Sequence, residues 1–198
     1  MEKRNINRWE GGLALITREE ALQEVRKHIK NENMIRHMLA TEAAMKKLAQ
    51  YFNEDVELWG LTGLLHDIDT EITNEDPVEH SKVGYDMAKN LGLPEEAARA
   101  ILTHNEAHGI EPDSLMGKVL KAVDPLTGLI TAVALVMPDK KLSSVTPERV
   151  LKRFKEKRFA AGANREQIAT CEEFGLSLGE FVSLVLQAMQ EISEDLGL

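Results

Sequence analysis

Hydrophobic spacing in this chain is helical almost from end to end, and two capping boxes, Thr17-Arg-Glu-Glu20 and Ser177-Leu-Gly-Glu180, stand near its two ends. In each, the first hydroxyl and the carboxylate three residues on can satisfy one another's backbone N–H, so both mark helix starts. No segment alternates apolar and polar residues between hairpin turns, which leaves no reading for a sheet. The first box opens a helix to about His28. Asn33 is placed to cap the next, with Met34, His37, Met38, Thr41, Ala44, Met45 and Leu48 at helical spacing. Asn53 is expected to cap a third helix, through Trp59 and Leu64 to the pair His66-Asp67. A fourth runs from His80 to Leu91 and stops at Gly92. A fifth starts at Pro94, with Glu95 and Glu96 at its positive end. Separate helices over about 113–123 and 127–136 flank Asp124. Another runs from Thr146-Pro147-Glu148 to about Phe159, and a short one covers 164–174. The last helix gathers Leu178, Phe181, Val182, Val185 and Met189 on one face.

The expected fold is therefore an all-α bundle. The chain has 198 residues, a length that suits one domain able to bury a large core. The core is expected over about residues 33–137 and a C-terminal helical extension over about 145–198, with 139–144 as the boundary between them. A lone cysteine, Cys171, excludes an internal disulfide and a cysteine-based zinc cluster and fits a reducing cytosol. The N-terminal sequence MEKRNINRWEGG has no apolar stretch of the kind a secretory signal needs. The most apolar window, Leu126 to Met137, ends at Pro138 and is too short to span a bilayer. These readings give a cytoplasmic protein with no membrane partner. A net charge of −9 argues against binding duplex nucleic acid, while a small anionic substrate remains possible where positive charge is local.

The chemistry lies in the order His37, His66-Asp67, His80, His104, Asp124. Imidazole nitrogens and carboxylate oxygens suit Mn, Fe, Co, Ni or Zn, the ions of metal-assisted hydrolysis. Any one of these histidines alone reads more readily as structural or exposed than as a ligand, so the inference rests on the set. His104 and His108 are also an i, i+4 pair, but the sequence His-Asn-Glu-Ala-His lacks the metalloprotease arrangement. His108 reads as a residue of the cavity rim and a candidate substrate contact.

The set resembles the HD superfamily of metal-dependent phosphohydrolases, whose pattern is a His, an adjacent His-Asp and a distant Asp on a small helical bundle. The resemblance is carried by IRHMLATEAAMKKLA, GLTGLLHDID and LKAVDPLTGLITA, over about residues 33–137. The whole chain is similar to the small stand-alone members known as predicted hydrolases. By this resemblance His37, His66, Asp67 and Asp124 hold one ion. In its binuclear subgroup a further His before a nearby Gly and a later His bind a second ion, positions matched by His80 and His104, with Asp67 as the bridge. The alternative makes His80 a helix cap and sets His104 behind the ligands, leaving one ion. The cyclic-dinucleotide phosphodiesterases of the superfamily carry a paired His-His-Glu and a Gly-Tyr-Pro loop. Here the corresponding residues are His104-Asn105-Glu106, and Gly84-Tyr85 is followed by Asp86, so that activity is disfavoured.

The resemblance implies a metal-dependent hydrolase of a small phosphate ester, with a nucleotide as one option. The same ligand set could also serve a di-iron oxygenase or a metal- and nucleotide-binding regulatory domain without turnover. Related single-metal enzymes place an acid shortly after the His-Asp pair, which puts Asp69 and Glu71 forward as catalytic, against the alternative that they cap or solvate a loop. Positive charge is densest from Arg149 to Arg165. Arg158 or Arg165 could pair substrate phosphate bidentately, against the alternative of a solvated helix face.

Overall fold

A computed structural model describes residues 15–198; the reading of the first twelve residues as lacking a secretory signal lies outside them. The architecture is all-α, with no strand among the described residues. The helices are α1 (Arg18–His28), α2 (Glu32–Phe52), α3 (Val56–Leu65), α4 (Lys82–Asn90), α5 (Glu95–His104), α6 (Leu115–Leu135), α7 (Pro147–Phe154), α8 (Arg165–Ala169), α9 (Leu178–Glu191) and α10 (Ser193–Leu196). Both capping boxes form, at Thr17 with Glu20 and at Ser177 with Glu180.

The long helices α2 and α6 are the frame. They pack on one another, α3 and α9 lie along α2, and α5, α7, α8 and α9 lie along α6. α4 leans on α5, and α1 on α3. One apolar cluster runs from Ala21 to Leu196 and takes in Met38, Met45, Leu64, Ile101, Leu120, Ile130, Ile168 and Phe181. α3 is buried on every side from Leu58 to Leu65, so it carries no amphipathic stripe and serves as the centre of the bundle. The C-terminal helices thus share the core of the rest.

Element boundaries differ from the sequence reading where side-chain hydrogen bonds set them. Asn31, two residues before the expected cap, starts α2 by accepting from the Asn33 N–H at 3.0 Å. Asn53 ends α2 in a left-handed conformation, φ 59°, and Asp55 caps α3 by accepting from the Leu58 N–H at 2.9 Å. α4 starts at Lys82, because residues 66–81 form a run of turns. Pro125 does not divide the helix that holds it. α6 is continuous across it, since Ala122, Val123, Leu126, Leu129 and Ile130 are all buried against neighbours and hold the backbone on course.

Candidate metal centre

His37 lies on α2, His66 caps the C-terminus of α3, Asp67 opens the run of turns, and His80 stands near its end. His104 is the last residue of α5, and Asp124 sits mid-way along α6 beside Pro125. These elements bring all six side chains to one point. His37 Nε2 is 2.9 Å from Asp124 Oδ1 and 3.6 Å from Asp67 Oδ2. His66 Nε2 is 3.3 Å from His37 Nε2 and 3.4 Å from Asp67 Oδ2. The other Asp67 oxygen, Oδ1, faces His80 Nε2 at 3.3 Å and His104 Nε2 at 3.4 Å. Asp67 therefore stands between two groups of ligand atoms, one oxygen turned to each.

All four imidazoles present Nε2 inward because Nδ1 has a partner behind it. His66 Nδ1 lies 2.8 Å from the Gly63 carbonyl, and His104 Nδ1 lies 2.6 Å from the Ile101 carbonyl. His80 Nδ1 lies 2.8 Å from Asp69 Oδ1. His37 Nδ1 meets the Thr127 hydroxyl at 3.2 Å; that hydroxyl already donates to the Asp124 carbonyl at 2.9 Å, so it accepts from the ring. An Nδ1–H bonded outward leaves the Nε2 lone pair free for a cation. Exposure grades across the cluster: the side chains of His66 and His104 are 0% and 3% exposed, and those of His37 and Asp124 are 22% and 28%. The centre is closed on the α3 and α5 side and open over α2 and α6.

The electrostatics fit a cation. Burial alone would raise Asp67, but His66 and His104 hold it well below the usual carboxylate range, and Asp124 is lowered in the same way by His37 and His66. Burial opposes charge on His104, yet its bond to Asp67 and the attraction of that carboxylate raise it to about 9. Burial likewise opposes charge on His37, and Asp124 raises it. The two carboxylates draw positive charge into the cavity, and the protons on His37 and His104 supply it here. Three ligand groups, His37-His66-Asp67, His66-His104-Asp124 and Asp67-His80-His104, each have their donor atoms within 4.8 Å of one another. Nitrogen and oxygen donors so placed suit a divalent transition metal.

The other residues singled out in the sequence are placed differently. Asp69 is wholly buried, and both its oxygens are engaged, by His80, Ser81 and Gly84, so the expected proton donor has no path to a substrate. Glu71 Oε1 accepts from the Lys30 and Asn31 N–H groups, at 2.8 Å each, and tethers the start of α2. The expected i, i+4 pairing of His104 with His108 does not form, because α5 ends at His104 and Asn105 is extended. His108 Nε2 instead reaches the His80 carbonyl at 2.8 Å and the Ser81 hydroxyl at 3.0 Å. Arg165 turns its guanidinium onto the carbonyls of Phe154, Glu156, Phe159, Ala160 and Ala163 rather than outward to an anion. Arg158 is exposed, with no hydrogen bond or ion pair among the described residues. Two contributors escaped the sequence reading, Thr127 behind His37 and Asn105 on the His80 carbonyl at 3.1 Å. Only the position of Thr127, one turn from Asp124, could have signalled it.

An open groove of about 570 Å³ is lined by Glu106, Lys157, Ala161, Gly162, Asn164 and Arg165 among others. It adjoins the residues that follow His104, since Asn164 donates to the Glu106 carboxylate at 3.0 Å and Gln167 approaches the His104 carbonyl at 3.5 Å.

Residues 34–129 match the HD domain family. Curated relatives named Ribonuclease Y align over about half of the chain. That of Desulfotalea psychrophila is 31% identical over 97 residues, 49% of this chain and 18% of its own length. That of Nitratidesulfovibrio vulgaris is 28% identical over 98 residues, 50% of this chain and 18% of its own. That of Staphylococcus epidermidis is 31% identical over 97 residues, 48% of this chain and 18% of its own. The chain thus spans less than a fifth of the length of these relatives. No solved structure matches it.

Proposed function

Residues 34–129 form an HD domain, and from that premise we propose that this protein is a metal-dependent hydrolase of phosphate esters. The observation that carries the reading is the split Asp67 carboxylate, with Oδ2 toward His37 and His66 and Oδ1 toward His80 and His104. On one side His37, His66, Asp67 and Asp124 would hold an ion, and on the other Asp67, His80 and His104 would hold a second. Divalent ions bound there supply a Lewis acid for phosphoryl oxygens and make water a nucleophile at neutral pH.

The chain's own residues set the approach. His66 and His104 form a closed floor, so an ester enters over His37 and Asp124. Asp67 and Asp124 are held as carboxylates and can orient a water by accepting its hydrogen bond. In a chain with a net charge of −9, positive charge for the substrate must be local. Lys157, which lines the groove past His104, and its exposed sequence neighbour Arg158 are the candidates for it, whereas Arg165 is bonded to the carbonyls of its own loop. The substrate is a small phosphorylated molecule. The relatives' name adds RNA phosphodiesters to the candidates, as short single strands rather than duplexes. The lone buried Cys171 accords with a cytosolic setting.

The test is a panel of nucleotides, sugar phosphates and short oligoribonucleotides, assayed with Mn, Co, Ni, Mg and Fe(II) alongside elemental analysis. Hydrolysis should require added metal, and Asp67→Ala should lose both metal and activity. Turnover undiminished in Asp67→Ala, or full metal occupancy in that variant, would overturn the reading.

A further inference from the structure

We propose that Asp69 is a positioning residue for His80 and so builds the second half of the metal centre; the inference rests on the reading of His80 as a ligand. Each of the other imidazoles belongs to a helix or to its cap, and its Nδ1 is bonded to a neutral oxygen. His80 alone comes from the run of turns, and a charged side chain stands behind it.

The geometry around Asp69 defines what it does. Its Oδ2 accepts from the Ser81 and Gly84 N–H groups, at 2.7 Å each, and its Oδ1 receives His80 Nδ1 at 2.8 Å. A carboxylate in that place can only accept from the ring. It therefore keeps a proton on His80 Nδ1 and turns Nε2 toward Asp67 Oδ1, 3.3 Å away, on the side where the ion would sit. The peptide after His80 is pinned from the other side. Its carbonyl accepts from His108 Nε2 and Asn105 Nδ2, and the Ser81 hydroxyl donates to the Leu102 carbonyl, two residues before His104. Ser81 is held in a left-handed conformation, φ 68°, which a residue with a Cβ adopts only when its surroundings impose it. A glycine at position 84 leaves room for Asp69 to reach the α4 backbone, since a Cβ there would lie 3.2 Å from Asp69 Oδ2 and 3.2 Å from Ile101 Cγ2.

Asp69→Asn makes the sharp test. The two backbone N–H groups demand an oxygen, so the amide must turn its NH₂ toward His80 Nδ1. The ring then has to accept there, and its proton moves to Nε2, the atom meant for the ion. In metal-free protein labelled with ¹⁵N-histidine, long-range ¹H–¹⁵N correlation should show His80, identified by its loss in His80→Gln, with Nδ1 protonated in the wild type and with Nδ1 bare, its proton on Nε2, in Asp69→Asn. Elemental analysis after loading with Mn(II) should find about two ions per wild-type chain and about one per Asp69→Asn chain, as a bridged pair losing one partner requires. Gly84→Ala keeps the carboxylate and only crowds it. It should weaken the second ion about tenfold or more and leave the first unchanged.

An unchanged His80 tautomer in Asp69→Asn would overturn the proposal. So would equal loss of both ions in Asp69→Asn and Gly84→Ala together with a large fall in Tm, since Asp69 would then merely hold the fold. A wild-type chain that binds one ion or none overturns the binuclear reading instead, and the metal-free tautomers still decide the role of Asp69.

Discussion

Cys171 is fully buried, and burial, with the nearby Glu172 charge, pushes its thiol up to about 11. A free thiol titrates near 8.5, so the folded state favours the protonated form. That contribution to stability is complete below about pH 8.5 and is lost as the pH rises through about 11. The expected outcome is that native protein resists iodoacetamide at pH 8 and reacts fully in denaturant; rapid native labelling would contradict it. A second residue-scale expectation concerns Gly63, where a Cβ would lie 2.8 Å from the Thr41 carbonyl and 3.0 Å from Met45 Cγ. Since α3 and α2 are both buried there, Gly63→Ala should cost about 1–3 kcal/mol by urea denaturation. It should also disturb the carbonyl that receives His66 Nδ1. An unchanged midpoint would refute this close approach. The six clustered side chains were legible in the sequence because their types and order are unusual enough to name them. The task of Asp69 was not, because it depends on partners 11, 12 and 15 residues further on, in turns that carry no period.

Helices were legible at this next scale wherever a cap and an apolar stripe coincided, as in α1 and α9. α6 was not, because proline read alone predicts a break, and only tertiary burial on both sides of Pro125 overrides it. The basic segment behaves in the same way. Its positive charge suggests an anion site, yet Arg165 folds back and gathers carbonyls between residues 154 and 163, a stretch that leaves the helix after Phe154. Burial lowers the Arg165 pKa, as expected for a guanidinium drawn partly out of water. Arg165→Ala removes donors from several carbonyls at once and should destabilise the protein by about 2–3 kcal/mol. Proteolysis should open the chain within 154–163 in that variant, with metal content intact. A variant of wild-type stability that loses only kcat/KM would return Arg165 to the substrate.

The six clustered side chains come from three helices, the cap of α3 and the turns that follow it, all lying between residues 37 and 124. α7, α8 and α9 pack on α6, and α9 also on α2, so the C-terminal third braces the frame of the centre and sends no residue into the cluster. A divalent ion at that point would tie α2, α3, α5 and α6 together at once. It would also replace the protons that His37 and His104 hold against Asp67 and Asp124. Because the unfolded chain has no such convergence, binding should appear as stability. At a free metal concentration one hundred times Kd the gain is about 2.7 kcal/mol, and a domain of this size shifts by about 2–4 °C per kcal/mol. Addition of Mn(II) or Zn(II) to chelated protein should therefore raise Tm by roughly 5–11 °C in a single transition, since one apolar cluster runs the length of the described chain. Asp67→Ala should melt at the same temperature with and without metal, because the carboxylate that faces both groups of ligands is gone. Should the wild type show no metal-dependent shift at saturation, the ion does not distinguish folded from unfolded chain, and the convergence of these side chains is not a metal centre.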